Sequence, residues 1–194
     1  MTPAVGIEGT VSANGAELYY ESKGEGPVVV LAHGLTLDTR MWDAQFEALS
    51  VSHRVVRYDA RGHGRSSGAG PRDDGADATF DQGEDLRGLF DALAIEEAHV
   101  VGFSMGGYTA YEFAIAHPAR VRTLILIDSA WRFDLDTASA FQMRAIGYLF
   151  NPDLEAGLRA WLADPLFAGS QDKPAVKARL EEIVLGSQLA LGSQ

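Results

Sequence analysis

The sequence predicts an α/β chain: a mostly parallel sheet of six strands with helices on both faces, followed by a helical segment. Three observations predict it. "VVVLAH" (28–33) is a continuous β-branched and apolar run, the mark of a strand buried on both faces as in parallel sheets. Apolar strands then alternate with helical patterns of about a dozen residues, which indicates βαβ units with right-handed crossovers. After Ser129 the strand pattern stops and helical stripes take over.

The elements follow in order. Residues 7–12 and 18–22 flank Asn14-Gly15, a dipeptide that tolerates positive φ at both positions and so predicts a hairpin. After the first buried strand, residues 38–49 carry Met41, Trp42, Phe46 and Leu49 at helical spacing, with Asp38 or Thr39 as N-cap. "HRVVRYD" (53–59) is the next strand and opens into a long Gly-, Arg- and Asp-rich loop. Asp85, Leu86, Leu89, Phe90 and Leu93 make a helix, "AHVVGF" (98–103) a strand and Met105–Ala116 a helix. His117-Pro118 stops that helix, because the residue before proline avoids the α region. "VRTLILID" (121–128) is the last strand. Residues 137–150, 153–163 and 174–190 read as three helices, two of them carrying the stripes Leu154, Leu158, Trp161, Leu162 and Val176, Leu180, Ile183, Val184.

Bulk properties narrow the function. With 194 residues and 46% hydrophobic content, the chain can bury one sizeable core. A net charge of −11 argues against a nucleic-acid partner. No apolar run approaches the ~20 residues that span a bilayer, so no membrane partner is expected. The first ten residues lack a positive and an apolar region, so no signal peptide is expected either. Zero cysteines exclude disulfides and thiolate sites and fit a cytoplasmic location. The acidic group Asp73, Asp74, Asp77, Asp81, Glu84 and Asp85 fits no Ca²⁺-loop spacing and reads as a solvated loop.

The chemistry concentrates at Gly102-Phe103-Ser104-Met105-Gly106, a G-x-S-x-G between a strand and a helix. A sharp turn there holds the serine in a strained backbone and lifts its Oγ above the sheet. Side chains two residues away on either side would collide, hence Gly102 and Gly106. The helix N-terminus favours developing negative charge. Gly34, after the buried strand, lets the next backbone approach the serine, so the Leu35 and Met105 N–H groups could form an oxyanion hole. His33 itself reads as a satisfied buried imidazole. "YDARGHGRSSG" (58–68) lacks the spacing of a phosphate loop, so no nucleotide or other cofactor is expected.

"HGL", "RYDARGHGRS", "VVGFSMGGYTA" and "HPARVRTLILID" together resemble an α/β-hydrolase, in the branch of small serine esterases, enol-lactonases and cofactor-free haloperoxidase-type enzymes. The resemblance covers roughly residues 5–130. It implies Ser104 as nucleophile, the Leu35 and Met105 backbones as oxyanion hole and a small-molecule carbonyl substrate. It divides the chain into a partial core (1–130) and a helical cap or lid (131–194), in which Trp131, Phe133, Phe141, Tyr148, Phe150 and Trp161 either line an apolar cavity or pack the lid.

In this family the histidine follows the serine and the acid. Asp128, ending the sixth strand, is a candidate acid, with capping of the next turn as the alternative. From Ala119 onward there is no histidine. His117 lies at the far end of the helix that starts at the serine, roughly 18 Å away at 1.5 Å per residue. His33, His53, His63 and His99 fail on position. The sequence thus reads as stopping before the strands that would carry the usual acid and base. Loss of a triad histidine costs on the order of 10⁶ in kcat, so the chain is expected to be nearly inactive alone. Its sixth strand would be an exposed edge open to self-association. Two alternatives stand beside this reading: a non-catalytic ligand- or partner-binding protein, and an enzyme completed by a histidine from a second copy.

Overall fold

In the computed structural model, which describes residues 6–68, 81–129, 143–187 and 189, the Asn14-Gly15 pair takes φ of 47° and 76°. Positive φ at both central residues closes the hairpin between β1 (Ile7–Ala13) and β2 (Ala16–Lys23). β3 (Val28–Ala32), β4 (Arg54–Tyr58), β5 (Ala98–Phe103) and β6 (Val121–Ile127) complete a six-stranded sheet in the order β1-β2-β4-β3-β5-β6. The four strands β4-β3-β5-β6 are parallel, and the hairpin joins antiparallel through β2 and β4.

The β3 run is apolar throughout because both its faces are covered. Val30 and Ala32 join Leu18, Val56, Val100, Leu86, Leu89, Phe90 and Phe113 on one face. Val29 and Leu31 join Val55, Val101, Trp42 and Phe46 on the other. The helices α2 (Gln82–Ala92) and α3 (Met105–Ala116) cover the first face, and α1 (Asp43–Leu49) the second. β6 ends the sheet on one side: Leu124 and Leu126 pack on the core, whereas Ile125 and Ile127 are 45% and 40% exposed.

Two helix starts ahead of β5 differ from the sequence reading, each for a capping reason. The single helix expected over 38–49 is a 3-10 turn (Thr39–Trp42) followed by α1. The Asp38 carboxylate accepts the Arg40 N–H, while Asp59 draws the Thr39 N–H to 2.7 Å, which tightens the first turn. α2 begins three residues ahead of Asp85, because Asp81 accepts the Glu84 N–H at 3.0 Å and starts the helix.

The described residues fall into two compact units, 6–129 with 189, and 143–187. In the second, α4 (143–149), α5 (Leu154–Leu162), the short α6 (Ala168–Gln171) and α7 (Pro174–Gly186) form a small helical body. Trp161 is its centre, in ring contact with Tyr148 and Phe167 at 5.9 and 5.3 Å. Gly157 lets α5 approach α4, since a Cβ there would lie 2.1 Å from the Tyr148 carbonyl. Buried Asp164 would have its carboxyl raised by burial, but the Leu166 N–H and Arg144 hold it below the usual range. Leu154 and Val176, expected within the apolar stripes, are exposed; Leu158, Trp161, Leu162, Ile183 and Val184 carry the burial. No helix of the described residues is long and apolar enough to cross a membrane.

Candidate active site

β5 ends at Phe103 and α3 starts at Met105, so Ser104 alone makes the turn. Its backbone is at φ 51°, ψ −113°, outside the allowed wells for a residue with a Cβ. Such a conformation costs about 1–3 kcal/mol and persists only where its surroundings enforce it. Here the Ser104 N–H donates to Ile127 O on β6 at 3.0 Å, and its carbonyl accepts from Gly107 and Tyr108 N–H at 3.0 and 3.1 Å. The flanking glycines are required by contact: a Cβ on Gly102 would sit 2.2 Å from Gly106 O, and one on Gly106 would sit 2.3 Å from Ala32 O. At Gly107 the place of a Cβ is taken by the Ser129 side chain. The serine motif does not specify that position, since its partner lies 22 residues along the chain.

β3 and β5 are parallel neighbours in the register Ala32↔Gly102, so Leu35 and Ser104 leave the same sheet edge on adjacent strands. Met105 is the first residue of α3, where an N–H has no intrahelical acceptor. The Leu35 N–H makes no hydrogen bond among the described residues. A Cβ on Gly34 would lie 2.8 Å from the Phe103 ring, so this glycine makes room for the side chain just before the serine. The turn closes with Leu37 N–H on Gly34 O at 3.1 Å, and Thr36 within it takes φ 65°.

Asp128 follows β6, and the pairing Phe103↔Ile127 puts it next to Ser104 on the adjacent strand. It is exposed, at φ 48°, and its carboxylate makes no hydrogen bond or ion pair among the described residues. None of the five histidines bonds the Ser104 hydroxyl. His33 is buried, with Nδ1 against Gly34 O and Nε2 accepting the Ala60 N–H, both at 2.8 Å; burial pushes its imidazole below the ordinary value. His63 packs beside it with the rings tilted by 60° and their centroids 5.2 Å apart, held by Arg61 O and pushed down to about 4 by burial and by His33. His53 and His99 meet edge to face at the starts of β4 and β5, opposite the serine end. His117 follows α3 and bonds Glu84 at 3.0 Å.

The acidic group is not simply solvated. Asp81 caps α2, Glu84 pairs with Arg87, and buried Asp85 pairs with Arg61 while accepting the Asn14 amide. Sequence spacing hid this because Arg61 and Asn14 arrive from elsewhere in the chain. Asp73, Asp74 and Asp77 lie outside the described residues, as do Trp131, Phe133 and Phe141. Of the remaining aromatics, Trp161 packs its own unit and Phe150 is exposed. No group of three or more His, Cys, Asp or Glu among the described residues is arranged to hold a metal ion. A groove of about 380 Å³ runs between α2 and α3, lined by Met105, Tyr108, Thr109 and Glu112, but it includes neither Ser104, Leu35 nor Asp128.

Known proteins match this arrangement. A family model described as alpha/beta hydrolase fold matches residues 27–181. A protein named as a carbamate hydrolase, RutD, from Azorhizobium caulinodans is 36% identical over 152 residues, 78% of this chain and 54% of that protein. The 3-oxoadipate enol-lactonase 1 of Acinetobacter baylyi is 37% identical over 161 residues, 80% of this chain and 54% of that one. Among solved structures, an enol-lactonase from Burkholderia xenovorans LB400 superposes with a TM-score of 0.75 at 31% identity, covering 93% of this chain and 68% of that one. The chain spans about half the length of the curated relatives it matches.

Proposed function

The chain belongs to the α/β-hydrolase fold family, and from that premise we propose that it hydrolyses an ester, lactone or carbamate carbonyl through Ser104. The observation that carries the reading is the forced backbone of Ser104, a strained residue between two glycines that its neighbours cannot replace. The Ser104 Oγ attacks the carbonyl carbon, and the oxygen that gains charge is held by the Leu35 and Met105 N–H groups and the α3 N-terminus. Collapse expels the leaving group, and water releases the acyl group. Asp128, on the adjacent strand end, is the acid of the triad, and the helical unit 143–187 serves as the lid. The absence of cysteine suits work in the reducing cytoplasm.

None of the five histidines bonds the Ser104 hydroxyl, and on this reading the general base is a histidine supplied from beyond these 194 residues. A fluorophosphonate probe tests the nucleophile: one mass adduct is expected on Ser104, faster with added imidazole as a surrogate base, and absent in Ser104→Ala. An unlabelled Ser104 at high imidazole would sink the reading. Among the described residues the Ser104 hydroxyl has no hydrogen-bond partner, which favours a second reading, a binding protein built on the same fold. Ligand-dependent stabilisation without labelling or turnover would be its signature.

A further inference from the structure

The Gly34 carbonyl and the Leu35 N–H belong to one peptide group. That group is planar and trans, so its C=O and N–H point in opposite directions. Whatever holds the Gly34 oxygen therefore aims the Leu35 N–H. Two donors hold it: the Leu37 N–H at 3.1 Å and the His33 ring at 2.8 Å.

The partners of His33 fix its tautomer. Gly34 O can only accept, so Nδ1 carries the proton; the Ala60 N–H can only donate, so Nε2 is bare. At 1% exposure the ring meets no competing water. It thus spans from the Leu35 turn to the segment after β4, and that segment is itself braced. Asp59 accepts the Thr39 and Arg65 N–H groups at 2.7 and 2.8 Å, and Ser66 Oγ donates to Asp59 O at 2.5 Å. The turn needs such an anchor. Thr36 occupies its third position at φ 65°, a conformation that a β-branched residue resists and glycine takes freely.

We propose that His33 is a positioning residue for the oxyanion donor: by bonding Gly34 O and Ala60 N–H at once, it locks the 34–35 peptide with the Leu35 N–H facing the serine. The proposal rests on the reading of Leu35 as an oxyanion donor. His33 does not touch substrate and takes no proton from Ser104; it acts only through the peptide that follows it.

Three variants of the full chain separate this from general stability. Asparagine at position 33 can still donate from near the Nδ1 position, glutamine can still accept near the Nε2 position, and alanine can do neither. The readouts are the rate of Ser104 labelling by a fluorophosphonate and hydrogen exchange at the Leu37 and Ala60 amides, with cooperative melting as the check on folding. His33→Ala is expected to label about 100-fold more slowly, the scale of a lost oxyanion donor, and to lose protection at both amides. His33→Asn should label within about 10-fold of the parent and protect Leu37 but not Ala60. His33→Gln should protect Ala60 yet label as slowly as the alanine variant. Asparagine and glutamine variants that melt alike and label alike would overturn the proposal, even if His33→Ala fails to fold. If the parent is itself unlabelled, the nucleophile reading falls separately. Exchange still decides the anchoring: Leu37 protection kept in His33→Asn and lost in His33→Gln supports it, and equal protection refutes it.

Discussion

Gly106 has no room for a Cβ, because Ala32 O would be 2.3 Å from it. Gly106→Ala should destabilise the chain by about 3 kcal/mol, read as a fall in urea midpoint at unchanged slope. Ser104 shows the opposite sign. Its φ of 51° suits glycine better than alanine, so Ser104→Gly should be more stable than Ser104→Ala by about 1 kcal/mol, against the usual order. His63 sets a pH dependence. Its folded value is pushed down to about 4 by burial, against an ordinary value of 6.5. Its neutral form therefore contributes stability that is complete above pH 6.5, falls as pH drops towards 4, and changes no further below that. The loss amounts to about 3 kcal/mol, and His63→Asn should flatten that part of a stability–pH curve. His33 adds to the downward push on His63, while the nearby Asp59 and Asp38 carboxylates oppose it.

At the level of elements, much of the fold is legible because local patterns caused it. Asn14-Gly15 specifies its hairpin through two positive φ angles, and the β3 run declares a strand covered on both faces. The serine elbow is equally local, since Gly102, Ser104 and Gly106 meet across a single turn. What stayed hidden is made of partners distant in sequence. The Arg61–Asp85 pair ties the segment after β4 to α2 and, through Asn14, to the hairpin, and no spacing rule finds a contact across 71 residues. Breaking a buried pair strands the surviving charge. Asp85→Ala should cost about 3–5 kcal/mol, seen as a lower melting temperature, whereas Glu155→Ala, which breaks an exposed pair, should cost under about 1 kcal/mol. The split of the 38–49 helix was missed for the same reason, because the Thr39 amide answers to Asp59, 20 residues away.

For the whole molecule, the open flank of β6 and the net charge of −11 act in opposition. Among the described residues nothing pairs with the outer edge of β6, and that edge with Ile125 and Ile127 would favour a second copy, while like charge would keep copies apart. Salt screens the repulsion and leaves the apolar contact intact. Sedimentation velocity should therefore show association that grows with ionic strength and is suppressed by Ile125→Lys; a salt-independent monomer would refute it.

The bond from the Ser104 amide to Ile127 also makes Ser104, the proposed nucleophile, the far end of a lever whose other arm is that flank. Fraying of β6 releases the amide, and the serine is then free to relax out of its enforced geometry. Under the proposed mechanism, reactivity at Ser104 becomes a chemical gauge of order in the outermost strand. Anything that clamps the strand should sharpen the serine.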